Sequence, residues 1–222
     1  GEEIYTLPSE KQIEAALARC GASGMKLIDE NHKVVLEKGT VLDLGAVGKG
    51  YALDALLRHL KTDYPAGFDG YLVFDADNVL QPNYIEEMNR SLSQGNDIIT
   101  SYRNSKNYGT NWISAGYALW FLRESRYLNA PRDRIGSSCA VSGTGFLFSR
   151  KVAEDMDGWP YHLLTEDIEF SIDHIIKGWR VAYCGAAELF ACAAECLGEN
   201  GTSVCAGPVV FSRSSVTMAR GC

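Results

Sequence analysis

The stretch Tyr71-Leu72-Val73-Phe74-Asp75-Ala76-Asp77-Asn78 decides the fold of this chain. Its first four residues form an apolar run typical of a buried strand, and two aspartates separated by one residue follow directly. In open α/β sheets, ligands bind at the carboxyl ends of the strands. The octapeptide therefore predicts a central strand that delivers two carboxylates to a binding site.

Strand-like and helix-like segments alternate after this octapeptide. Apolar spacing predicts a helix over 82–93, a strand around 98–99, a helix over 112–128, a strand over 146–148, an isoleucine-striped helix that stops at Gly178, and a strand over 180–184. This alternation is typical of an α/β fold, with a mainly parallel sheet and helices on both faces. The aromatic residues of 112–128 either belong to the core, which is the commoner outcome, or line a sugar pocket.

The first 48 residues follow another pattern. Ser9 and Gln12 form a capping box at the start of a predicted helix over 8–21, and the β-type runs 25–28 and 34–36 predict a hairpin. A strand-like run and a glycine-rich loop over 41–50 then precede a helix from about Tyr51. We expect three segments: a small helix-plus-hairpin segment (1–48), a core (49–190) and an irregular tail rich in Cys, Gly and Ser (191–222).

Length and charge narrow the class of protein. With 222 residues, 46% of them apolar, the chain can bury a sizeable core. A net charge of −7 without a basic block argues against a nucleic-acid partner, because binding a phosphate backbone needs clustered positive charge. The apolar runs are shorter than the roughly 18–20 residues that cross a bilayer, and the N-terminus lacks the layout of a secretion signal. We therefore expect no membrane span in this chain.

Seven cysteines favour a reducing compartment. Three of them, Cys20, Cys139 and Cys184, lie among apolar neighbours, where buried free thiols are common. The other four lie within 192–222 without a C-x-x-C pair, so an irregular tail is favoured over a zinc site.

Two acidic clusters carry the candidate chemistry. Asp75 and Asp77 either face one hard cation, Mg²⁺ or Mn²⁺, that would bridge to a diphosphate, or they begin a loop and cap the next helix. Thr165-Glu166-Asp167 either supplies a base for deprotonating a hydroxyl or forms the N-terminal cap of the following helix. Lys49, in the glycine-rich loop, either neutralises a diphosphate or is solvated at the surface.

Residues 49–190 closely resemble family 2 glycosyltransferases, the inverting group that includes cellulose, chitin and hyaluronan synthases. The motifs that carry the resemblance occur in the family's order: Gly48-Lys49-Gly50-Tyr51-Ala52-Leu53, Phe74-Asp75-Ala76-Asp77-Asn78, Ser142-Gly143-Thr144-Gly145 and Leu164-Thr165-Glu166-Asp167-Ile168-Glu169-Phe170-Ser171. The resemblance implies a nucleotide-diphospho-sugar transferase-like fold. It also implies transfer of a hexose from a UDP-sugar to the hydroxyl of a carbohydrate or lipid acceptor, by a cytoplasmic enzyme that is peripheral to the inner face of a membrane.

The resemblance also assigns roles to the motif residues. It implies that Asp75 and Asp77, as a DxD motif, hold Mg²⁺ or Mn²⁺ together with the nucleotide sugar. It implies that Asp167 is the catalytic base, and that Glu166 and the Ser142-Gly143-Thr144-Gly145 loop shape the acceptor and donor pocket.

The family's pattern is incomplete at the amino-terminal end of this chain. Nothing in residues 1–48 resembles the first strand and the loop after it that hold the uracil base. The Gln-x-x-Arg-Trp motif of processive members is also absent from the sequence, so a processive polymer synthase is not expected. A non-catalytic glycosyltransferase remnant is the corresponding alternative.

Residues 8–54 resemble another family, the FAD:protein FMN transferases. The motifs are Pro8-Ser9-Glu10-Lys11-Gln12-Ile13 and Leu42-Asp43-Leu44-Gly45-Ala46-Val47-Gly48-Lys49-Gly50-Tyr51-Ala52-Leu53-Asp54. Both families carry a Lys-Gly-Tyr-Ala string, and the two resemblances meet there. The sequence is therefore interpreted as a hybrid chain, or chimera, with a flavin-binding fragment as the alternative function.

Overall fold

A computed structural model describes residues 8–18, 24–28, 33–38, 45–161 and 165–193. The chain divides into two compact units, Gly1–Leu44 and Gly45–Cys222.

The first unit contains helix α1 (Glu10–Leu17) and the strands β1 (Met25–Ile28) and β2 (Lys33–Leu36). The capping box is confirmed: the Ser9 amide donates to Gln12 Oε1 at 2.8 Å, and the Gln12 amide donates to Ser9 Oγ at 3.4 Å. Antiparallel pairing of β1 with β2 confirms the hairpin. The predicted end of α1 at residue 21, the hairpin turn and the strand-like run over 41–44 lie outside the described residues.

The second unit alternates helices and strands. Its elements in chain order are α2 (Gly45–Asp63), β3 (Gly70–Val73), β4 (Val79–Leu80), α3 (Tyr84–Ser93), β5 (Ile98–Ser105), α4 (Trp112–Leu122), a π-helical segment (Arg123–Asn129), α5 (Ala130–Arg134), β6 (Phe146–Ser149), α6 (Arg150–Met156), α7 (Glu166–Ile176) and β7 (Val181–Ala191). The α/β class predicted from the alternating pattern is confirmed.

Five strands form one sheet in the order β3-β6-β5-β7-β4. Strands β5 and β7 are parallel, whereas the other three neighbouring pairs are antiparallel. It follows that β3, β5 and β7 run in one direction and that β6 and β4 run in the other, so the sheet is mixed rather than purely parallel. The sequence does not reveal the direction of β6, because a strand covered on both faces is a continuous apolar run in either orientation.

Helices cover both faces of this sheet, as expected. One buried cluster joins the sheet to α2, α6 and α7, and its members include Leu53, Val73, Ile98, Phe146, Phe148, Val152 and Phe170. A second cluster joins the sheet to α3 and α4, and its members include Leu72, Met88, Ile99, Phe121, Leu147 and Leu189. Successive residues such as Leu72 and Val73 belong to different clusters because side chains along a strand alternate between its faces.

Two local predictions were wrong. The glycine-rich stretch over 45–50 is not a loop but the first turns of α2. Each glycine inside a helix lowers helix stability by about 1 kcal/mol relative to alanine. The helix nevertheless extends through this stretch, and Gly50 and Leu53 are buried. The strand predicted over 180–184 continues as β7 to Ala191, because β7 pairs with β5 along its length.

The isoleucine stripe of α7 faces outward rather than into the core. Ile168 and Ile172 are half exposed, whereas Phe170 and His174 on the opposite side are fully buried. Phe170 stacks on Trp159 with ring centroids 5.2 Å apart. The larger aromatic side chain therefore determines which face of the helix is buried.

Two further findings concern the described residues alone. No helix there is long and apolar enough to cross a membrane. Cys139, Cys184 and Cys192 are free thiols, and Cys139 is buried as predicted. The remaining cysteines lie outside the described residues.

Candidate active site

The loop before β6 clamps the end of β3. The Gly145 amide donates to the Val73 carbonyl at 2.8 Å. The Asp75 amide donates to Thr144 Oγ1 at 2.9 Å, and the same hydroxyl donates to Asn78 Oδ1. These bonds fix the turn that carries Asp75, so the predicted Ser142–Gly145 loop and the predicted aspartate pair lie side by side.

Lys49 connects the predicted segments. Its Nζ atom lies 3.0 Å from Asp75 Oδ1 and 3.5 Å from Glu166 Oε1, and it donates a hydrogen bond to the Gly143 carbonyl. The lysine side chain is 24% exposed, so the surface alternative left open by the sequence does not describe it. A single ammonium group thus contacts both acidic clusters and the glycine loop.

Glu166 and Asp167 begin α7 on the other side of this loop. A Cβ atom added to Gly143, whose φ is +65°, would lie 3.6 Å from Asp167 Oδ2, so the Asp167 carboxylate faces the loop closely. Burial raises the pKa of Glu166, and the positive charge of Lys49 opposes that rise. Thr165 makes no side-chain capping bond, so this threonine is not a plain helix cap.

Asp77 has different partners from Asp75. Its Oδ2 accepts from the Cys192 amide at 3.4 Å, and its Oδ1 accepts from Asn78 Nδ2 at 3.3 Å. Lys106 Nζ donates to the Asp77 carbonyl at 2.6 Å. Cys192, which directly follows β7 and which the sequence assigned to an irregular tail, therefore takes part in holding Asp77.

The donor set suits a hard cation only in part. Across the described residues, no group of three or more His, Cys, Asp or Glu side chains is arranged to hold a metal ion. Magnesium is commonly held by one or two carboxylates, with phosphate oxygens and water completing the shell. Asp75 and Asp77 offer two such carboxylates, of which Asp75 already pairs with Lys49 and Asp77 accepts from the Cys192 amide.

Sequence reasoning missed Arg103, on β5. Its guanidinium lies 4.0 Å from the centre of the Phe121 ring, and its Nη1 donates to the Ser142 carbonyl at 3.4 Å. Burial lowers the pKa of Arg103, whereas the carboxylates of Asp75 and Glu124 act in the opposite direction. Its Nε atom has no hydrogen-bond partner among the described residues. The sequence offered one sign of this residue: an arginine in the polar second half of a strand that begins with Ile98 and Ile99.

Glu124 is a second residue that the sequence did not single out. Its Oε2 accepts a hydrogen bond from Ser142 Oγ at 2.9 Å. The π-helical segment after α4 therefore also holds the glycine loop, through a residue next to the one that Lys49 contacts.

In this mixed α/β fold, Lys49 joins Asp75, Glu166 and the glycine loop. The mixed α/β sheet with helices on both faces is consistent with the fold of nucleotide-diphospho-sugar transferases. The chain belongs to glycosyltransferase family 2, because the family model described as "Glycosyltransferase like family 2" matches residues 33–205. Membership of this family makes the chain a transferase by resemblance.

The chain is also similar to a flavin-transferring enzyme over a short stretch. It is 36% identical over 75 residues to FAD:protein FMN transferase of Escherichia coli strain K12. The same protein from Escherichia coli O157:H7 matches to the same degree. The match spans 32% of this chain and 20% of the length of these curated relatives.

Proposed function

We propose that the chain is a metal-dependent, inverting glycosyltransferase that moves a hexose from a UDP-sugar to an acceptor hydroxyl. The observation that supports this most strongly is the position of Lys49, which contacts Asp75, Glu166 and the Gly143 carbonyl at once. A cation placed among carboxylates at strand ends is suited to an anionic diphosphate, in a chain whose net charge is −7.

Asp75 and Asp77 would hold the divalent metal, Mg²⁺ or Mn²⁺. Such an ion supplies electrostatic stabilisation for the departing diphosphate. Lys49 would add a second positive charge, since its Nζ atom lies 3.0 Å from Asp75 Oδ1. Ser142, Gly143, Thr144 and Gly145 would shape the donor pocket through their backbone.

Asp167 would act as the general base. Transfer with inversion requires a carboxylate that removes the proton from the acceptor hydroxyl as its oxygen attacks the anomeric carbon. Asp167 faces the Gly143 loop, and Glu166 beside it is held by Lys49 at 3.5 Å. The cluster of Asp75 and Asp77 would thus bind the diphosphate, and the cluster of Glu166 and Asp167 would deprotonate the acceptor.

The domain boundaries follow from the same proposal. Residues 49–190 would form the catalytic core, preceded by the small segment 1–48 and followed by the segment 191–222. The acceptor would be a carbohydrate or a lipid, and the enzyme would work in the cytoplasm, peripheral to the inner face of a membrane.

Calorimetric titration of UDP in the presence of Mn²⁺ tests the proposal. Wild-type protein is expected to bind UDP only when the metal is present, and Asp77→Ala is expected to lose that binding. Asp63→Ala serves as the matched control because Asp63 lies at the far end of α2 and is half exposed. Failure of the wild-type protein to bind UDP would favour the non-catalytic remnant instead.

A second candidate is a flavin-binding fragment, supported by the identity with FAD:protein FMN transferase. Gel filtration after incubation with FAD separates the two candidates. Co-elution of stoichiometric flavin with the protein would support the second candidate, whereas a flavin-free protein peak would dismiss it.

A further inference from the structure

Helix α4 carries a large apolar surface on its outer side. Trp112, Ile113, Gly116, Tyr117 and Trp120 line an open depression with a volume of about 360 Å³. Trp112 is 77% exposed and Trp120 is 57% exposed, so the expectation that these aromatic residues belong to the core is wrong for both. Phe121 is the buried aromatic residue of this helix. Exposed apolar clusters of this kind generally mark a surface that contacts a partner.

The rest of α4 and the following helical segments carry further exposed apolar side chains. Leu119, Tyr127 and Ile135 are each more than 60% exposed. We call the exposed side chains of residues 112–135 the outer aromatic surface. Tryptophan and tyrosine are the residues that membrane proteins concentrate at the boundary between lipid and water.

The charges on this surface are basic. Residues 112–135 contain four arginines, all of them exposed: Arg123, Arg126, Arg132 and Arg134. None of the four forms an ion pair in the part of the chain that the structure describes.

The two carboxylates of the same segment point to other partners. Glu124 accepts from Ser142, and Asp133 pairs with Arg180 at 2.7 Å. In a chain with a net charge of −7, the outer aromatic surface therefore presents unpaired positive charge beside exposed aromatic rings. Arg123 itself lies 5.2 Å from the centre of the Trp120 ring.

This combination favours an anionic lipid bilayer over a soluble sugar. Sugar-binding surfaces supply several carboxylate, amide or hydroxyl groups to bond the sugar hydroxyls, whereas the side chains that line this depression include no carboxylate or amide and one hydroxyl, that of Tyr117. Basic residues next to Trp and Leu side chains are the composition of surfaces that lie in the interface of a membrane.

A second exposed apolar face provides an internal contrast. The isoleucine stripe of α7 is also exposed, with Ile176 at 79%. Its neighbours on that helix include Glu166, Asp167, Glu169 and Asp173, which anionic headgroups would repel. Charge thus distinguishes the two apolar surfaces.

We propose that the outer aromatic surface of residues 112–135 docks the protein on a bilayer that contains anionic lipids. The inference rests on the peripheral location proposed above and names the surface responsible for it. The segment that carries this surface adjoins the candidate active site, because its half-buried Glu124 accepts a hydrogen bond from Ser142 Oγ of the glycine loop at 2.9 Å. Docking by this surface would bring the active-site loop close to a lipid-borne acceptor.

Co-sedimentation of the full chain with lipid vesicles tests this inference. The assay contains neither UDP nor metal, so its outcome does not depend on binding of the sugar donor. Wild-type protein is expected to sediment with vesicles of phosphatidylcholine and phosphatidylglycerol, and to be released by salt. Arg123→Gln/Arg126→Gln is expected to bind roughly 30-fold more weakly, since each basic side chain near an anionic surface contributes about a fivefold factor. Trp112→Ser/Trp120→Ser is expected to lose binding as well.

Ile172→Ser/Ile176→Ser is the matched control and is expected to bind as the wild type does. Equal loss in this control, or equal binding of wild-type protein to vesicles of phosphatidylcholine alone, would overturn the inference. So would a concentration-dependent dimer that the tryptophan variant abolishes, because it would assign the surface to a second copy of the chain. If the tryptophan variant fails to fold, the wild-type protein is mixed with vesicles that contain brominated phosphatidylglycerol, and its tryptophan fluorescence is measured. Quenching of the fluorescence supports the inference, and the absence of quenching overturns it.

Discussion

Replacing Lys49 with methionine removes the ammonium group that contacts both acidic clusters. Its Nζ atom lies 3.0 Å from Asp75 Oδ1 and 3.5 Å from Glu166 Oε1, and the three side chains are 24%, 25% and 13% exposed. Removing one partner of a fully buried ion pair costs about 3–5 kcal/mol. Partial exposure reduces this value, so we expect Lys49→Met to lower the free energy of unfolding by about 1–3 kcal/mol at neutral pH.

The loss should depend on pH with a definite sign. Burial raises the pKa of Glu166 above its ordinary value of 4.5, and Lys49 opposes this rise, so the pKa climbs further in the variant. A carboxyl group whose folded-state pKa is raised contributes stability that is complete below its unfolded pKa and is lost as pH rises through its folded pKa. The difference in unfolding free energy between wild type and variant should therefore shrink as pH falls from neutrality towards 4.5.

Urea denaturation followed by circular dichroism at several pH values measures both effects. Lys61→Met on the same helix is the control, because the Lys61–Asp157 pair is as short as 2.7 Å but its side chains are 73% and 78% exposed. Exposed pairs contribute about 0–1 kcal/mol. A Lys49→Met cost no larger than that of the control, or a difference that grows on acidification, would refute the reasoning.

Four further substitutions give distinct readouts. Asp167→Asn should reduce hexose transfer by about 10²–10⁴-fold while UDP binding by calorimetry stays at the wild-type level; loss of both together would argue against a base. Gly145→Ala, at φ +67° and against the Leu189 side chain, should cost about 2–4 kcal/mol in urea unfolding. Gly95→Ala, at φ +93° with nothing within 4 Å of the added Cβ, isolates the backbone strain and should cost about 1–2 kcal/mol. Arg103→Gln should destabilise by about 1–2 kcal/mol, since it removes the contact with the Phe121 ring and the hydrogen bond to the Ser142 carbonyl; a thermal midpoint unchanged from wild type would contradict this.

The order of helices and strands was predictable because each element carries its own periodicity. The run Tyr71–Phe74 and the spacing of Tyr84, Met88 and Leu92 appear as β3 and α3 with little shift. Strand direction carries no such local signal, and so the antiparallel placement of β6 between β3 and β5 emerges only from the three-dimensional structure.

The composition of the site was predictable in part. Lys49, Asp75, Glu166 and the glycine loop were chosen from separate motifs, and the structure brings them together around one ammonium group. Their catalytic and binding roles stay predictions.

The contact of Arg103 with the glycine loop could not be predicted from its own strand. The pairing of β5 with β7 shifts register because β7 has three extra residues between Cys184 and Glu188, so the alternation along β5 is not interrupted. That alternation places Arg103 on the same face as Ile99, which also contacts the Phe121 cluster. The contact of Arg103 with the Ser142 carbonyl carries no local signal, because it joins two segments that are distant in the sequence. Local spacing was also insufficient in α7, where aliphatic spacing favoured the stripe containing Ile172 and the structure buries Phe170.

Electron paramagnetic resonance of Mn²⁺ tests the central claim most directly, because it reports on the ion that Asp75 and Asp77 would hold. Wild-type protein should take up Mn²⁺ when UDP is added. Asp75→Asn/Asp77→Asn should weaken that uptake by about tenfold or more. Uptake that is indifferent to UDP, or equal in the double variant, would contradict the assignment of these aspartates to a metal–diphosphate site.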